Sequence, residues 1–196
     1  MLKSRNNRTG KPVMIIYPGE HYATNEDFYI ASVVGTCLAV CIYDTRVNAG
    51  GMVNFVVPGT AGTSNLIHDD IFRIGILNME YLMGDLVKLG CDRHFMKAKI
   101  FGAGYVNGST HNSVALTESN IKFVRDYFAF EKIDIEKSDL GGHLRRKIYF
   151  SPVTGAVFRR HLRNNEEYSE FIALEREYVE SEFKNRERSG KIILFD

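Results

Sequence analysis

The chain has 196 residues, of which 44% are hydrophobic and 25% are charged, so it is long enough to form one globular domain with a sizeable core. Its formal net charge of +1 at pH 7 excludes the strongly basic field that attracts nucleic acid or an anionic membrane surface. With 3 cysteines, too few for a disulfide framework, and no apolar stretch near the roughly 20 residues that span a bilayer, we expect a cytoplasmic protein without membrane insertion.

Residues 1–12 form a basic segment for which we predict a flexible, solvent-exposed arm. Lys3, Arg5, Arg8 and Lys11 lie in it without an acidic residue. Uncompensated charge near a terminus is typical of a frayed end. We therefore expect the folded domain to start at residue 13.

Four segments in the first third of the chain carry the β-branched and aromatic residues that are typical of strands. Each is bounded by Gly, Pro, Asn or Asp, which favour turns. The four predicted strands are residues 13–17, 28–34, 38–44 and 51–57.

From residue 69 the hydrophobic period changes to that of a helix. Asp69 or Asp70 is available as the N-cap, and Gly90 provides the stop. The apolar positions at helical spacing are Ile71, Ile74, Leu77, Leu82 and Leu86.

Strand character returns at residues 96–106, where a pair of glycines interrupts it. Thr117 is then predicted to cap a second amphipathic helix. Further on, the sequence SPVTG at residues 151–155 has the composition of a tight turn and predicts a hairpin between the segments on either side of it.

The order of these elements predicts a mixed α/β domain over residues 13–163 with substantial antiparallel pairing, because no helices connect the first strands. Residues 164–196 are rich in charge and form a predicted C-terminal helical extension, with Tyr168, Phe171, Leu174 and Tyr178 along one side. Two interpretations of this helix stay open. It packs on its own domain, or it serves docking to a partner or self-association.

Cys37 is the candidate nucleophile. It follows a Gly-Thr pair and heads an apolar run in the sequence GTCLAV. Nucleophilic chemistry at a thiol needs donors for the developing oxyanion and a base near the sulfur. Gly35 and Thr36 permit a close backbone approach, so their amides are the candidate oxyanion donors. A packed core thiol is the alternative, and it is our interpretation of Cys41 and Cys91.

An ordered set of sequence blocks extends this picture. The blocks are PGE (18–20), VVGTCLAVCIYD (33–44), GGMVNFVVP (50–58), KAKIFGAG (97–104), NIKFVRDYF (120–128), DLGG (139–142) and RKIYFSPVTGAV (146–157). Together, over nearly all of residues 13–162, they resemble the CheD family of chemoreceptor glutamine deamidases.

The resemblance implies a layered mixed-sheet α/β sandwich of the type found in bacterial toxin deamidases. It implies a cysteine hydrolase that converts selected glutamines of methyl-accepting chemoreceptors to glutamate through a thioester. The implied nucleophile is Cys37, and Ser32 fills the place of an orienting threonine before the cysteine. A CheC-type phosphatase of CheY is a further implied partner. Neither a cofactor nor a metal is expected.

The sequence departs from the family pattern at Asn54, which occupies the place of the family's general-base histidine in the block GGMVN. An amide neither takes up a proton at neutral pH nor protonates departing ammonia. His143 and His68 are the candidate substitutes. The alternative function is a catalytically impaired homologue that binds chemoreceptors or a CheC-type phosphatase. Either function requires the Cys37 sulfur to lie in a crevice open to an extended carboxamide.

Overall fold

The computed structural model describes residues 1–6, 9–58, 70–106, 113–163 and 168–189. These residues form ten strands, three α-helices and a short 3₁₀ helix at Arg93–Phe95. The strands are β1 (Leu2–Arg5), β2 (Pro12–Ile15), β3 (His21–Thr24), β4 (Tyr29–Val34), β5 (Leu38–Asp44), β6 (Ala49–Phe55), β7 (Lys97–Gly102), β8 (Asp134–Leu140), β9 (Arg145–Phe150) and β10 (Val157–Leu162). The helices are α1 (Asp70–Lys88), α2 (Ser113–Glu131) and α3 (Ser169–Ser189).

The strands form two mixed sheets of five strands each. The first sheet has the order β1-β2-β4-β9-β10 and the second has the order β3-β6-β5-β7-β8. Pairing is parallel between β2 and β4 and between β7 and β8, and the other neighbours are antiparallel. The prediction of a mixed-sheet α/β sandwich with a C-terminal helix is confirmed.

Strand β5 lies at the centre of the second sheet and is buried on both of its faces. Its side chains alternate, so Leu38, Val40 and Ile42 share a core with α1 and α2, whereas Ala39 and Cys41 share the core between the two sheets. Burial on both faces explains why this strand reads as a continuous apolar run rather than as an alternating one.

Helices α1 and α2 cover the outer face of the second sheet, where Phe72, Leu82 and Phe123 are fully buried. The predicted cap Asp69 lies outside the described residues. The predicted start of α2 at Thr117 is wrong, because the helix begins at Ser113 and Thr117 is a buried interior residue. Within the described ranges, no helix is both long and apolar enough to cross a bilayer.

The prediction of a frayed N-terminal arm is wrong for the residues that form β1. This strand pairs antiparallel with β2, with Leu2 opposite Ile15, although all four of its residues are exposed. The Lys11 ammonium, for which no acidic neighbour is evident in the sequence, lies 2.6 Å from the Asp27 carboxylate. A short, exposed edge strand is held by backbone hydrogen bonds and buries no side chain. Its sequence therefore lacks the alternation of hydrophobic residues by which a strand is predicted.

Strands β3 and β8 were not predicted from the sequence, and β7 is shorter than the predicted strand of residues 96–106. β8 is an edge strand of mostly exposed, charged residues, and β3 has only four residues. β7 ends at Gly102, whose φ of +108° turns the chain out of the sheet.

Candidate active site

Cys37 lies in the link of residues 35–37, where the chain passes from β4 in the first sheet to β5 in the second. Two carbonyls of the link accept hydrogen bonds from the segment that follows β7. The Ala103 amide donates to the Cys37 carbonyl at 2.9 Å, and the Gly104 amide donates to the Gly35 carbonyl at 2.7 Å. These bonds fix the backbone conformation of the link that carries the Cys37 thiol.

The amides of the same link converge on one atom of α3. The Gly35 and Cys37 N–H groups donate to Glu175 Oε1 at 2.8 and 3.0 Å. Two backbone donors aimed at one oxygen form the arrangement that stabilises the oxyanion of acyl transfer. The sequence assigned this pair to Gly35 and Thr36, but the second donor to this oxygen is the amide of Cys37 itself.

Gly35 has no side chain because the site has no room for one. A Cβ there would lie 2.8 Å from Glu175 Oε2 and 3.0 Å from Arg145 Cγ. The Arg145 Nε lies 3.7 Å from Glu175 Oε2, and the two side chains are only 9% and 6% exposed. The positive charge of the guanidinium therefore faces a carboxylate that the two amides already bind.

Helix α3 is fixed over this site by aromatic and apolar contacts. The ring of Phe171 stacks on that of Tyr17 with centroids 4.9 Å apart. Tyr178 covers Gly19, where a Cβ would meet its ring at 2.9 Å. Val179 is buried in the core between the sheets. In the described structure α3 thus packs on its own domain.

The Cys37 side chain is completely buried. The expectation that its sulfur lies in a crevice open to an extended carboxamide is therefore wrong for this conformation. The physical reason is that Cys37 belongs to the hydrophobic core between the sheets, and that Glu175 of α3 lies against its amide. Burial raises the pKa of the Cys37 thiol well above its ordinary value, and the negative charge and hydrogen bonding of Glu175, followed by the charge of Glu182, raise it further.

Asn54 on β6 and Ser32 on β4 are hydrogen-bonded to each other. Asn54 Nδ2 donates to Ser32 Oγ at 2.9 Å, and Ser32 Oγ donates to the carbonyl of Ile16 at 2.8 Å. Asn54 pairs with Ala39 across β5 and β6. Cys37 stands two residues before Ala39, just outside this strand pairing, and shares the core between the sheets with it. The hydrogen bond thus joins Asn54 and Ser32, two of the three side chains that the sequence assigned to the catalytic group.

The backbone of Asn54 is held by the turn PGE at residues 18–20, one of the blocks in the sequence. The Gly19 amide donates to the Asn54 carbonyl at 2.7 Å, and the Asn54 amide donates to the Glu20 carbonyl at 3.0 Å. Asn54 Oδ1 is buried and accepts no hydrogen bond within the described part of the chain. The site thus contains one polar acceptor that the fold itself does not use.

The histidines of the described residues have partners elsewhere. His143 is exposed, and its hydrogen bond in the described structure, at 3.2 Å, is to the carbonyl of Tyr105 and not to Cys37. His68 and His111 lie outside the described residues. The remaining ones contact acidic side chains, His21 with Asp85, His94 with Asp92 and His161 with Asp139.

Sequence reasoning missed Glu175 and Arg145. Glu175 is 138 residues from the amide of Cys37 that it binds, and neither residue stands in a motif that links it to the cysteine. The helical pattern of residues 168–189 predicts an inward face from its apolar residues, whereas Glu175 is a charged residue on that face. A buried acid of this kind has no local signal in the sequence.

Comparisons with known proteins identify the family of this chain. A family model described as CheD chemotactic sensory transduction matches residues 57–161. The probable chemoreceptor glutamine deamidase CheD 1 of Shewanella oneidensis is 37% identical over 181 residues, which cover 92% of this chain and 86% of that protein. The corresponding protein of Rhodopseudomonas palustris is 36% identical over 164 residues, covering 83% of this chain and 75% of its own length.

The family model begins its match after Cys37 and Asn54, but the longer alignments extend over both residues. The probable chemoreceptor glutamine deamidase CheD of Hahella chejuensis is 32% identical over 188 residues, 95% of this chain and 86% of that protein. An alignment of this span includes Cys37, Asn54 and Glu175 wherever its ends fall. The fold, the placement of the cysteine and these matches together show that the chain belongs to the CheD family.

Proposed function

We propose that this protein is a chemoreceptor glutamine deamidase, as its relatives are named, with Cys37 as nucleophile. The observation that carries the proposal is the pair of amides, from Gly35 and Cys37, that binds a side-chain carboxylate oxygen beside the thiol. A glutamine carboxamide differs from that carboxylate only in an NH₂ group. The cleft therefore fits the side chain on which the reaction takes place.

In the proposed reaction, Cys37 Sγ attacks the carboxamide carbon while the Gly35 and Cys37 amides hold the carboxamide oxygen. The C–N bond breaks, ammonia leaves with the thiol proton, and a thioester remains. Water then attacks the thioester, the C–S bond breaks, and the products are glutamate and the regenerated thiol. Each step needs only the substrate, water and the thiol.

We assign Asn54 to amide recognition rather than to proton transfer. Its Oδ1 is a buried acceptor without a partner among the described residues, and a carboxamide NH₂ is a donor that satisfies it. Ser32 holds the other end of the Asn54 amide through Nδ2. Without an imidazole the reaction lacks general acid–base assistance, which is typically worth about 10²- to 10⁴-fold in rate.

The test is deamidation of chemoreceptor cytoplasmic fragments, followed by mass spectrometry as a gain of about 1 Da per converted glutamine. We expect slow conversion that Asn54→His accelerates and that Cys37→Ala abolishes. Each protein is also assayed with the additional substitution Glu175→Ala, so that blocked access of the substrate is distinguished from a lack of catalytic activity. Absence of any Cys37-dependent gain in all of these variants contradicts the deamidase function.

The replacement of a catalytic histidine by Asn54 that the resemblance implies, together with the burial of Cys37, favours one alternative. In it the protein binds chemoreceptors or a CheC-type phosphatase without turnover. Calorimetric titration against both kinds of partner tests it. The alternative predicts binding that survives Cys37→Ala, and it fails if neither partner binds.

A further inference from the structure

The contacts of Glu175 match those that a reaction product would make. Its Oε1 accepts from the Gly35 and Cys37 amides at 2.8 and 3.0 Å, the pair assigned above to the carboxamide oxygen. Deamidation of glutamine yields a glutamate side chain, which has the same number of methylene groups as Glu175. The cleft therefore already holds the chemical group that the proposed reaction releases.

We propose that α3 is a tethered product mimic, which closes the Cys37 site with Glu175 and must be displaced before a glutamine of another protein enters. That Glu175 mimics a product rests on the deamidase function proposed above, whereas the closure of the site by Glu175 rests on geometry alone. The ligand is a carboxylate of this chain. It is held by two backbone amides and faces the Arg145 guanidinium.

The burial of Glu175 indicates a binding role rather than simple packing of the helix. A charged carboxylate on a side chain that is only 6% exposed is costly to bury unless donors and an opposite charge compensate it. Val179, one turn further along α3, packs in the core between the sheets as an apolar residue. A residue that served only to attach the helix would follow that pattern.

The same contact holds the thiol in its unreactive form. Burial first, and the negative charge of Glu175 second, raise the pKa of Cys37 well above its ordinary value. The thiolate is the nucleophile, so a raised pKa lowers reactivity at neutral pH. We expect removal of the Glu175 side chain to lower the pKa of Cys37, because it removes the nearby negative charge and hydrogen bond.

Displacement of α3 does not require either sheet to open. Every strand pairs within its own sheet, and α3 takes part in none of the described strand pairs. Its contacts near the site include the two amide bonds, the approach of Arg145 to Glu175, the stacking of Phe171 on Tyr17 and the packing of Val179 in the core between the sheets, and all of these are lost when α3 is displaced. A substrate side chain of equal length competes for the same two amides.

The experiment is alkylation of the native full-length protein by a maleimide, with the labelling rate of each cysteine resolved by peptide mapping. We expect Glu175→Ala to raise the rate at Cys37 roughly tenfold or more, because it removes two hydrogen bonds to a charged group. Glu177→Ala, on the exposed side of the same helix, is the matched control and leaves the rate near that of the wild type. Cys41, completely buried in β5, reports global unfolding.

Equal Cys37 rates in the wild type and in Glu175→Ala overturn the proposal, whether both are fast or both are slow. If Glu175→Ala also exposes Cys41, then Glu175→Asp decides. It retains the charge near Arg145 but shortens the side chain, and it must label Cys37 faster than the wild type while Cys41 stays protected. Alkylation needs no catalysis, so faster labelling without receptor deamidation refutes the proposed enzyme and leaves the closure standing.

Discussion

Asn54 and Ser32 form a buried polar pair that is satisfied on one side only. Ser32 Oγ accepts from Asn54 and donates to the Ile16 carbonyl, so its single hydroxyl serves two buried groups. Asn54 Oδ1 keeps an unused acceptor in a site where each unpaired polar group is costly. At the scale of single residues, the fold thus holds the Asn54 side chain through Nδ2 and leaves Oδ1 as the acceptor that we propose for a substrate amide.

Ser32→Ala tests this pair. The substitution removes the acceptor of Asn54 Nδ2 and the donor to Ile16, and we expect it to lower the free energy of unfolding by about 1–3 kcal/mol in urea denaturation. Ser138→Ala, at an exposed position of β8, is the control and should change stability by no more than about 0.5 kcal/mol. Equal effects of the two substitutions contradict the assigned role of Ser32.

The sequence identifies Cys37, Ser32 and Asn54 because they stand in short blocks that resemble a family. It does not identify Glu175 or Arg145, because their role exists only after α3 has folded back over the link between β4 and β5. A charged residue in a charge-rich helix is expected to face solvent. Burial of one such residue is decided by a tertiary contact, not by local propensity.

At the scale of elements, the link between β4 and β5 depends on the segment that ends β7. Gly102 has a φ of +108°, and a Cβ on it would lie 2.0 Å from the Cys37 carbonyl oxygen. Ala103, at a φ of +45°, then donates to that same carbonyl. The glycine is required both for its backbone conformation and for the close approach of two main chains.

Gly102→Ala should therefore destabilise the protein by more than about 2 kcal/mol and disturb the Cys37 link. Gly84→Ala is the matched control, because Gly84 lies exposed in α1 with nothing within 4 Å of an added Cβ. It should stabilise the protein by about 0.5–1 kcal/mol through helix propensity. Urea unfolding of both variants measures the difference, and a neutral Gly102→Ala contradicts this account of the link.

The elements that the sequence predicts well are those with a buried face. The apolar runs of β4, β5 and β6 and the helical period of α1 all follow from burial in one of the two cores. β1, β3 and β8 escape prediction, because their positions are set by backbone pairing at or near the sheet edges. The side chains of such strands need no regular hydrophobic pattern.

At the scale of the whole molecule, α3 completes a layered structure rather than extending from it. Val179 fills the core between the sheets, and Tyr168 packs with Val33 and Leu162 on the other side of the first sheet. The helix therefore spans from one layer to the next at the end where Cys37 lies. This placement sets Val179 in the core that contains Cys37, and Glu175 against the amides of the link.

The most direct test of the account turns Glu175 into a substrate. In a Glu175→Gln, Asn54→His variant, we expect the oxygen of the introduced carboxamide to accept hydrogen bonds from the Gly35 and Cys37 amides, beside the thiol. We predict that residue 175 is converted without any partner, seen by peptide mass spectrometry as a gain of about 1 Da or, if the thioester is trapped, as a loss of about 17 Da. Adding Cys37→Ala should prevent both changes. An unchanged mass at residue 175 after prolonged incubation contradicts the central claim that this cleft binds and hydrolyses a glutamine side chain.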